Sequence, residues 1–266
     1  MTELIVPELV NNYLTFTNQR SQALADNKLD LSHCVFIYPT TLLPLGVFIK
    51  THPKILYNPP HNQNVANYIF LVTGKISIDQ LENKSYVPCV PLPQTRTEAE
   101  KVLEYVFRLH HQGKDYGGES VFKYLVSELV DNIYQHSKFS NAYVMAQRYE
   151  QKKFVEISFF DDGISIPGSF RKQETKADDS TLIIEAINGR STKDKERGYG
   201  LSSNIRIFTE GLGGQILIVS GGGLVYLEKS SQKVYKLQEE RRLSGTLISI
   251  RIPIPAKEIK LYDFLN

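Results

Sequence analysis

The chain has no tryptophan, and only two methionines and two cysteines in 266 residues. Cys34 and Cys89 stand far apart, with no ligand-type neighbours at metal-site spacing. That excludes a disulfide scaffold and a zinc ribbon, and leaves two reduced thiols of a cytoplasmic protein as the expectation. No apolar run reaches the roughly 20 residues that cross a bilayer. Neither sign of charge dominates: 31 Lys and Arg face 29 Asp and Glu, a net charge of +2. So balanced a surface marks neither a nucleic-acid nor a membrane partner, and neither is expected. The opening MTELIVPELVNNYL carries acidic residues and no basic segment, so no secretory leader is expected.

What is present is an ordinary supply of core residues. Apolar residues make up 41% and charged ones 23%, enough for one large domain or two small ones. A first unit reads as small and α/β over residues 1–75. Helix 7–25 is followed by strand 29–38, helix 39–50, strand 54–58 and helix 64–74, the last closed by Gly74. His33 and Cys34 fall in the strand pattern as packing residues. Residues 76–96, with Pro88, Pro91 and Pro93, lack periodicity and read as a linker, which leaves 97–266 as the second domain.

The second domain carries the chemistry. TEAEKVLEYVFRLHH (97–111) starts as a helix with Thr97 as its cap and acidic residues in its first turn. His110 and His111 suit its C-terminal end and do not resemble phosphoacceptors. Next comes a helix at about 119–136. At about 100° per residue, Glu128, Asn132 and His136 fall within the apolar stripe of Val121, Leu125 and Leu129. A carboxylate and an amide on a buried face are costly unless something uses them. A metal ion with a polyphosphate would use both; a hydrogen bond to a neighbouring helix is the plainer reading.

Strands follow at 141–150 and 153–163, the second running into DDGISIP (161–167). An Asp before a Gly-containing turn presents a carboxylate at a tight backbone, or is simply an acidic turn. A capped helix at 178–189 precedes RSTKDKERGYGLSSNIRIF (190–208). Its hydroxyls, its cations Arg190, Lys193, Lys195 and Arg197, and the close approach allowed by Gly198 and Gly200 suit a phosphate-holding lid. The plainer alternative is a solvated charged loop. The remainder reads as a hairpin around Gly221-Gly222, a solvated stretch at 232–242, a last strand at 243–255 with one buried and one wet face, and a docking tail.

Taken together, residues 97–255 resemble the ATP-binding domain of the GHKL superfamily, which includes gyrase, a heat-shock chaperone, histidine kinases, mismatch-repair ATPases and anti-sigma-factor kinases. Glu128 and Asn132 match the first box of that family. Asp161, Gly163 and the Ile166-Pro167 pair match the second, with Ser165 where a glycine is usual. Gly198, Gly200 and Leu201 match the glycine-rich lid, and Gly245 and Thr246 the late GT. The resemblance implies a Bergerat-type sandwich, a mainly antiparallel sheet covered by helices, with ATP and Mg²⁺ as ligands. It assigns Asn132 to the Mg²⁺ shell, Asp161 to the adenine amino group with help from Thr246, and Gly163 to close approach of the base. Backbone at Gly198, Gly200 and Leu201 would take the phosphates, with charge from Lys193, Lys195 or Arg197. Glu128 would be the general base, as in the hydrolytic and anti-sigma members.

DLSHCVFIYPTTLLPL resembles the strand–helix core of STAS domains, in which Thr40 or Thr41 would occupy the phosphorylatable junction. Simple capping of the next helix is the alternative. No transducer segment follows residue 255 in this sequence, so a DNA-handling machine is not expected. Three functions stay open: an ATPase or ATP-gated switch acting on a protein partner, a protein serine/threonine kinase of the anti-sigma type, and a non-catalytic nucleotide-binding module. Homodimerisation, common among such relatives, is also open.

Overall fold

A computed structural model describes residues 6–74, 85–109, 113–171, 176–189 and 200–264. The fold is mixed α/β. Its centre is a seven-stranded, wholly antiparallel sheet in the order β3-β4-β5-β9-β6-β7-β8. The strands are β1 (Lys28–Asp30), β2 (Leu56–Asn58), β3 (Tyr86–Pro91), β4 (Ala142–Tyr149), β5 (Phe154–Asp161), β6 (Gln215–Gly221), β7 (Gly223–Glu228), β8 (Ser231–Lys236) and β9 (Leu243–Pro253). The helices are α1 (Glu8–Asp26), α2 (Pro39–Thr51), α3 (Gln63–Thr73), α4 (Arg96–Leu109), α5 (Glu119–Asn132), α6 (Ile166–Arg171), α7 (Asp179–Ile187) and α8 (Gly200–Arg206). No described helix is long and apolar enough to cross a membrane.

Alternation along the strands sends two apolar sets to two faces. Val155, Ile157 and Phe159 of β5, Ile248, Ile250 and Ile252 of β9, and Ile216 and Ile218 of β6 meet α4, α5, α7 and α8. Phe160, Leu247, Leu217 and Val219 point the other way, into a second core with α1, α2 and α3. The sheet is therefore the middle of three layers. Each buried Leu, Ile, Val or Phe contributes roughly 1.5–3 kcal/mol relative to exposure, so neither layer is dispensable.

Several expectations are corrected here. The unit expected at 1–75 shares a core with the main sheet over its described residues 6–74: β1 and β2 make only a two-stranded parallel sheet, and the helices around them close the second face of the main sheet. The expected strand 29–38 stops at Asp30, whose carboxylate accepts the Ser32 N–H at 2.9 Å and the Asn58 amide at 2.8 Å and so turns the chain. His33 is exposed rather than packed, edge-on to His61. The expected linker contains β3, an edge strand, where Pro88 and Pro91 are tolerated because one side of the backbone needs no partner. Likewise β8, expected as solvated chain, is the opposite edge and alternates between half-buried and exposed residues. The cap of α4 is Thr95, whose hydroxyl accepts the Glu98 N–H at 3.4 Å and donates to the Glu98 carboxylate at 2.7 Å.

The last strand has no wet face. Ser249 shares a hydrogen bond with Ser158 at 2.8 Å, and the Arg251 Nε donates to Glu156 at 2.7 Å, all inside the protein. Thr40 donates both its N–H (2.8 Å) and its hydroxyl (2.7 Å) to that same Glu156. At 0% and 3% exposure, Thr40 and Thr41 are closed to any kinase while the protein is folded. Thr40 is the inward anchor of α2, close to the capping role. The C-terminal segment docks on its own chain, with the Ala256 N–H on the Asp115 carbonyl and the Ile259 N–H on the Gly117 carbonyl.

Candidate functional site

The apolar rows of the sheet give out at one end. Moving along the helix-covered face, the row Val144–Phe159–Ile248–Ile218 is followed by Ala142–Asp161–Thr246–Ser220. Asp161 and Thr246, far apart in sequence, are thus direct partners across β5 and β9, and Ser220 partners Thr246 from the other side. The Ser220 hydroxyl accepts the Ile166 N–H at 2.9 Å, lies 2.8 Å from the Thr246 hydroxyl and reaches the Gly245 carbonyl at 3.1 Å. It ties the start of α6 to β9.

Backbone crowding explains the glycines. A Cβ on Gly163 would come within 2.1 Å of the Ser137 carbonyl, and one on Gly245 within 1.9 Å of the Asp161 carbonyl. Gly245 also has φ +88°, a left-handed conformation natural to glycine. The two acidic residues of DDG divide their work. Asp162 accepts the Ser140 N–H at 2.8 Å, the Asn141 N–H at 2.7 Å and the Asn141 amide at 2.7 Å, and is an architectural residue. Asp161 is buried and accepts the Gly163 N–H at 3.0 Å. Burial pushes its carboxyl up to about 7, opposed by the Gly163 N–H and the Ser137 hydroxyl and assisted by Asp162.

The helix α5 supplies the second group. Its buried face is Val121, Phe122, Leu125, Val126, Leu129 and Val130; Glu128 and Asn132 lie half-buried on the border of that stripe rather than inside it. The π-helical turn Ile133–Ser137 then brings the Ser137 carbonyl onto the Ile164 N–H, joining α5 to the DDG turn. Three acids on this helix differ in company. Glu119 pairs with Lys123 at 2.6 Å and Asp131 pairs with Arg96, whereas Glu128 has no cation among the described residues. Burial, and then the Asp131 charge, raise the Glu128 carboxyl. The buried Nδ2 of the Asn132 amide has no hydrogen-bond partner among the described residues. Oxygen and nitrogen of an amide are interchangeable by rotation, so this position can equally present an acceptor.

Ile166 begins α6 and packs, half-buried, on the helix-side core, as does Leu201; Gly200 opens α8, which packs against α5. Lys193, Arg197 and Gly198, with Arg190 and Lys195, lie outside the described residues, as do His110 and His111. Two residues escaped the sequence reading. Ser220 sits in a strand whose serine gives no signal of its own. Asn204, fully buried on α8 with neither amide atom partnered among the described residues, looks in the sequence like one more polar residue of a charged stretch.

Among the described residues no three His, Cys, Asp or Glu side chains converge as a metal cage. Asn132 alone fits a shell completed mostly by ligand phosphates and water. An open cleft of about 240 Å³ lies beside the β6–β7 hairpin. Its cations are engaged: Arg171 and Arg242 with Asp179, and Lys236 with Asp178. Asp179 also takes the Gly222 N–H at 2.6 Å, so this cluster braces the hairpin. No protein-family model and no curated protein matches the chain.

Proposed function

We propose that this protein binds ATP with Mg²⁺ through a GHKL-type site and uses it as an ATPase or ATP-gated switch acting on a protein partner. The observation that carries this reading is the direct pairing of Asp161 with Thr246, two motif residues far apart in sequence, over backbones that glycine alone allows to approach. Adenine would sit against this row, its amino group donating to Asp161. Asn132 would enter the shell of a Mg²⁺ ion through its amide oxygen, and the ion would neutralise charge on the phosphates. Glu128, half-buried and without a cation among the described residues, would accept a proton from the attacking water.

That same free carboxylate favours a second reading, transfer of the γ-phosphate to a protein serine or threonine, over a purely structural nucleotide site. The acceptor distinguishes the two. The test is nucleotide binding and turnover with Mg²⁺ for wild type, Asp161→Asn and Glu128→Ala. Binding lost in Asp161→Asn and kept in Glu128→Ala, with turnover lost in both, is the expected result. A wild-type protein that binds no adenine nucleotide ends this reading.

A further inference from the structure

The hydroxyl chain at the end of the sheet has one arrangement that uses all of its contacts. Ser220 has a single proton and three neighbours: the Ile166 N–H, which can only donate, the Gly245 carbonyl, which can only accept, and the Thr246 hydroxyl, which can do either. If Ser220 donates to Thr246, the Gly245 carbonyl loses its contact from Ser220. If Ser220 donates to Gly245 and Thr246 donates to Ser220, all three hydrogen bonds form. Ser220 is fully buried, where an unmade bond is most costly, so the three-bond arrangement wins.

The consequence falls on Thr246. Its only proton is committed inward, so toward a ligand its oxygen is an acceptor and nothing else. Its partner across β5 and β9 is Asp161, another acceptor. We infer that Ser220 is a specificity-determining positioning residue: by fixing the direction of the Thr246 hydroxyl it makes Asp161 and Thr246 an all-acceptor edge that takes a 6-aminopurine and rejects a 6-oxopurine. This rests on the nucleotide reading above. A 6-amino group offers two protons to such an edge, whereas a 6-oxo group turns lone pairs against lone pairs, and the N1–H that accompanies it can serve only one of the two acceptors.

The test compares, at pH 8 where Asp161 is charged, ATP with inosine triphosphate, which carries a 6-oxo group and an N1–H in place of the 6-amino group and the bare N1, on wild type and Ser220→Ala. Wild type should bind ATP about 100-fold more tightly. In Ser220→Ala the Thr246 hydroxyl is free to turn outward and donate to the 6-oxo group, and the preference should fall about tenfold, through tighter binding of inosine triphosphate. The ATP-to-ADP preference should stay, which separates this role from general loosening. If Ser220→Ala does not melt cooperatively, Thr246→Val decides: removing the acceptor should lower the ATP preference by a similar factor. Equal binding of both triphosphates by wild type, or an unchanged preference in a folded variant, overturns the inference while leaving nucleotide binding intact. No binding of either triphosphate overturns the nucleotide reading itself, and this inference with it.

Discussion

Strand β5 carries two buried carboxylates five residues apart on opposite faces of the sheet, and they are treated in opposite ways. Glu156 faces the layer of α1–α3 and is saturated: one oxygen takes both donors of Thr40, the other takes Arg251, which also pairs with Glu8 and stacks over Tyr38 and Phe154. Asp161 faces the helices of the other layer, has no cation among the described residues, and is held by a backbone N–H. A carboxylate that joins layers is given every partner it can use. One that is left with its desolvation cost is available to a ligand. The same contrast recurs on α5, between Asp131, which is paired, and Glu128.

Breaking the saturated side should have the largest effect. Arg251→Ala strands Glu156 in a buried site and should cost about 3–5 kcal/mol, read as a lowered denaturation midpoint. Asp161→Asn should do the reverse. Removing a buried charge while keeping an acceptor for Gly163 should stabilise the ligand-free protein by about 2–4 kcal/mol at pH 8. The sign follows from the raised carboxyl: its contribution to stability is fully present below pH 4 and is lost as pH rises through about 7. The gap in melting temperature between Asp161→Asn and wild type should therefore open as pH rises from about 4 and level off above about 7. A gap of constant size across that range would mean that Asp161 is neutralised by something in the protein and belongs with Glu156.

ATP affinity sharpens the comparison from the ligand side. It should weaken as pH falls from 8 to 6, because the proton gained by Asp161 removes an acceptor; titration calorimetry reads this directly. Thr40→Val removes one of the donors to Glu156 and should cost about 1–2 kcal/mol with no change in nucleotide affinity. Smallest in stability is Glu128→Gln, within about 0.5 kcal/mol of wild type, since a half-buried group without an ion pair has little to lose. Its effect should appear in turnover alone, which a coupled phosphate-release assay would measure.

The candidate site was largely legible as a set of residue types. Glu128 and Asn132 at helical spacing, Asp161 before Gly163, and Gly245 before Thr246 stand out in the sequence because each pairs a polar group with a backbone or face that does not favour it. Ser220 was not legible, because a serine in a strand looks the same whether it faces water or holds two elements together. The strands β3 and β8 were missed for a related reason: edge strands admit prolines and charges that would disqualify a central strand. Arg251 and Ser249 were read as a wet face because their partners lie on β5, beyond the reach of local pattern.

The α/β class and the long central strands with their alternating apolar residues were determined by the sequence alone, since periodicity is a local property of the backbone. So were the residue types that gather at the candidate site. Only the tertiary structure decided that residues 6–74 close the second face of the sheet. It also decided which acids are neutralised and which are left free, because that depends on donors brought from distant strands and helices. Charge on a buried carboxylate is settled by its neighbours in space, and those neighbours exist only once the sheet has formed.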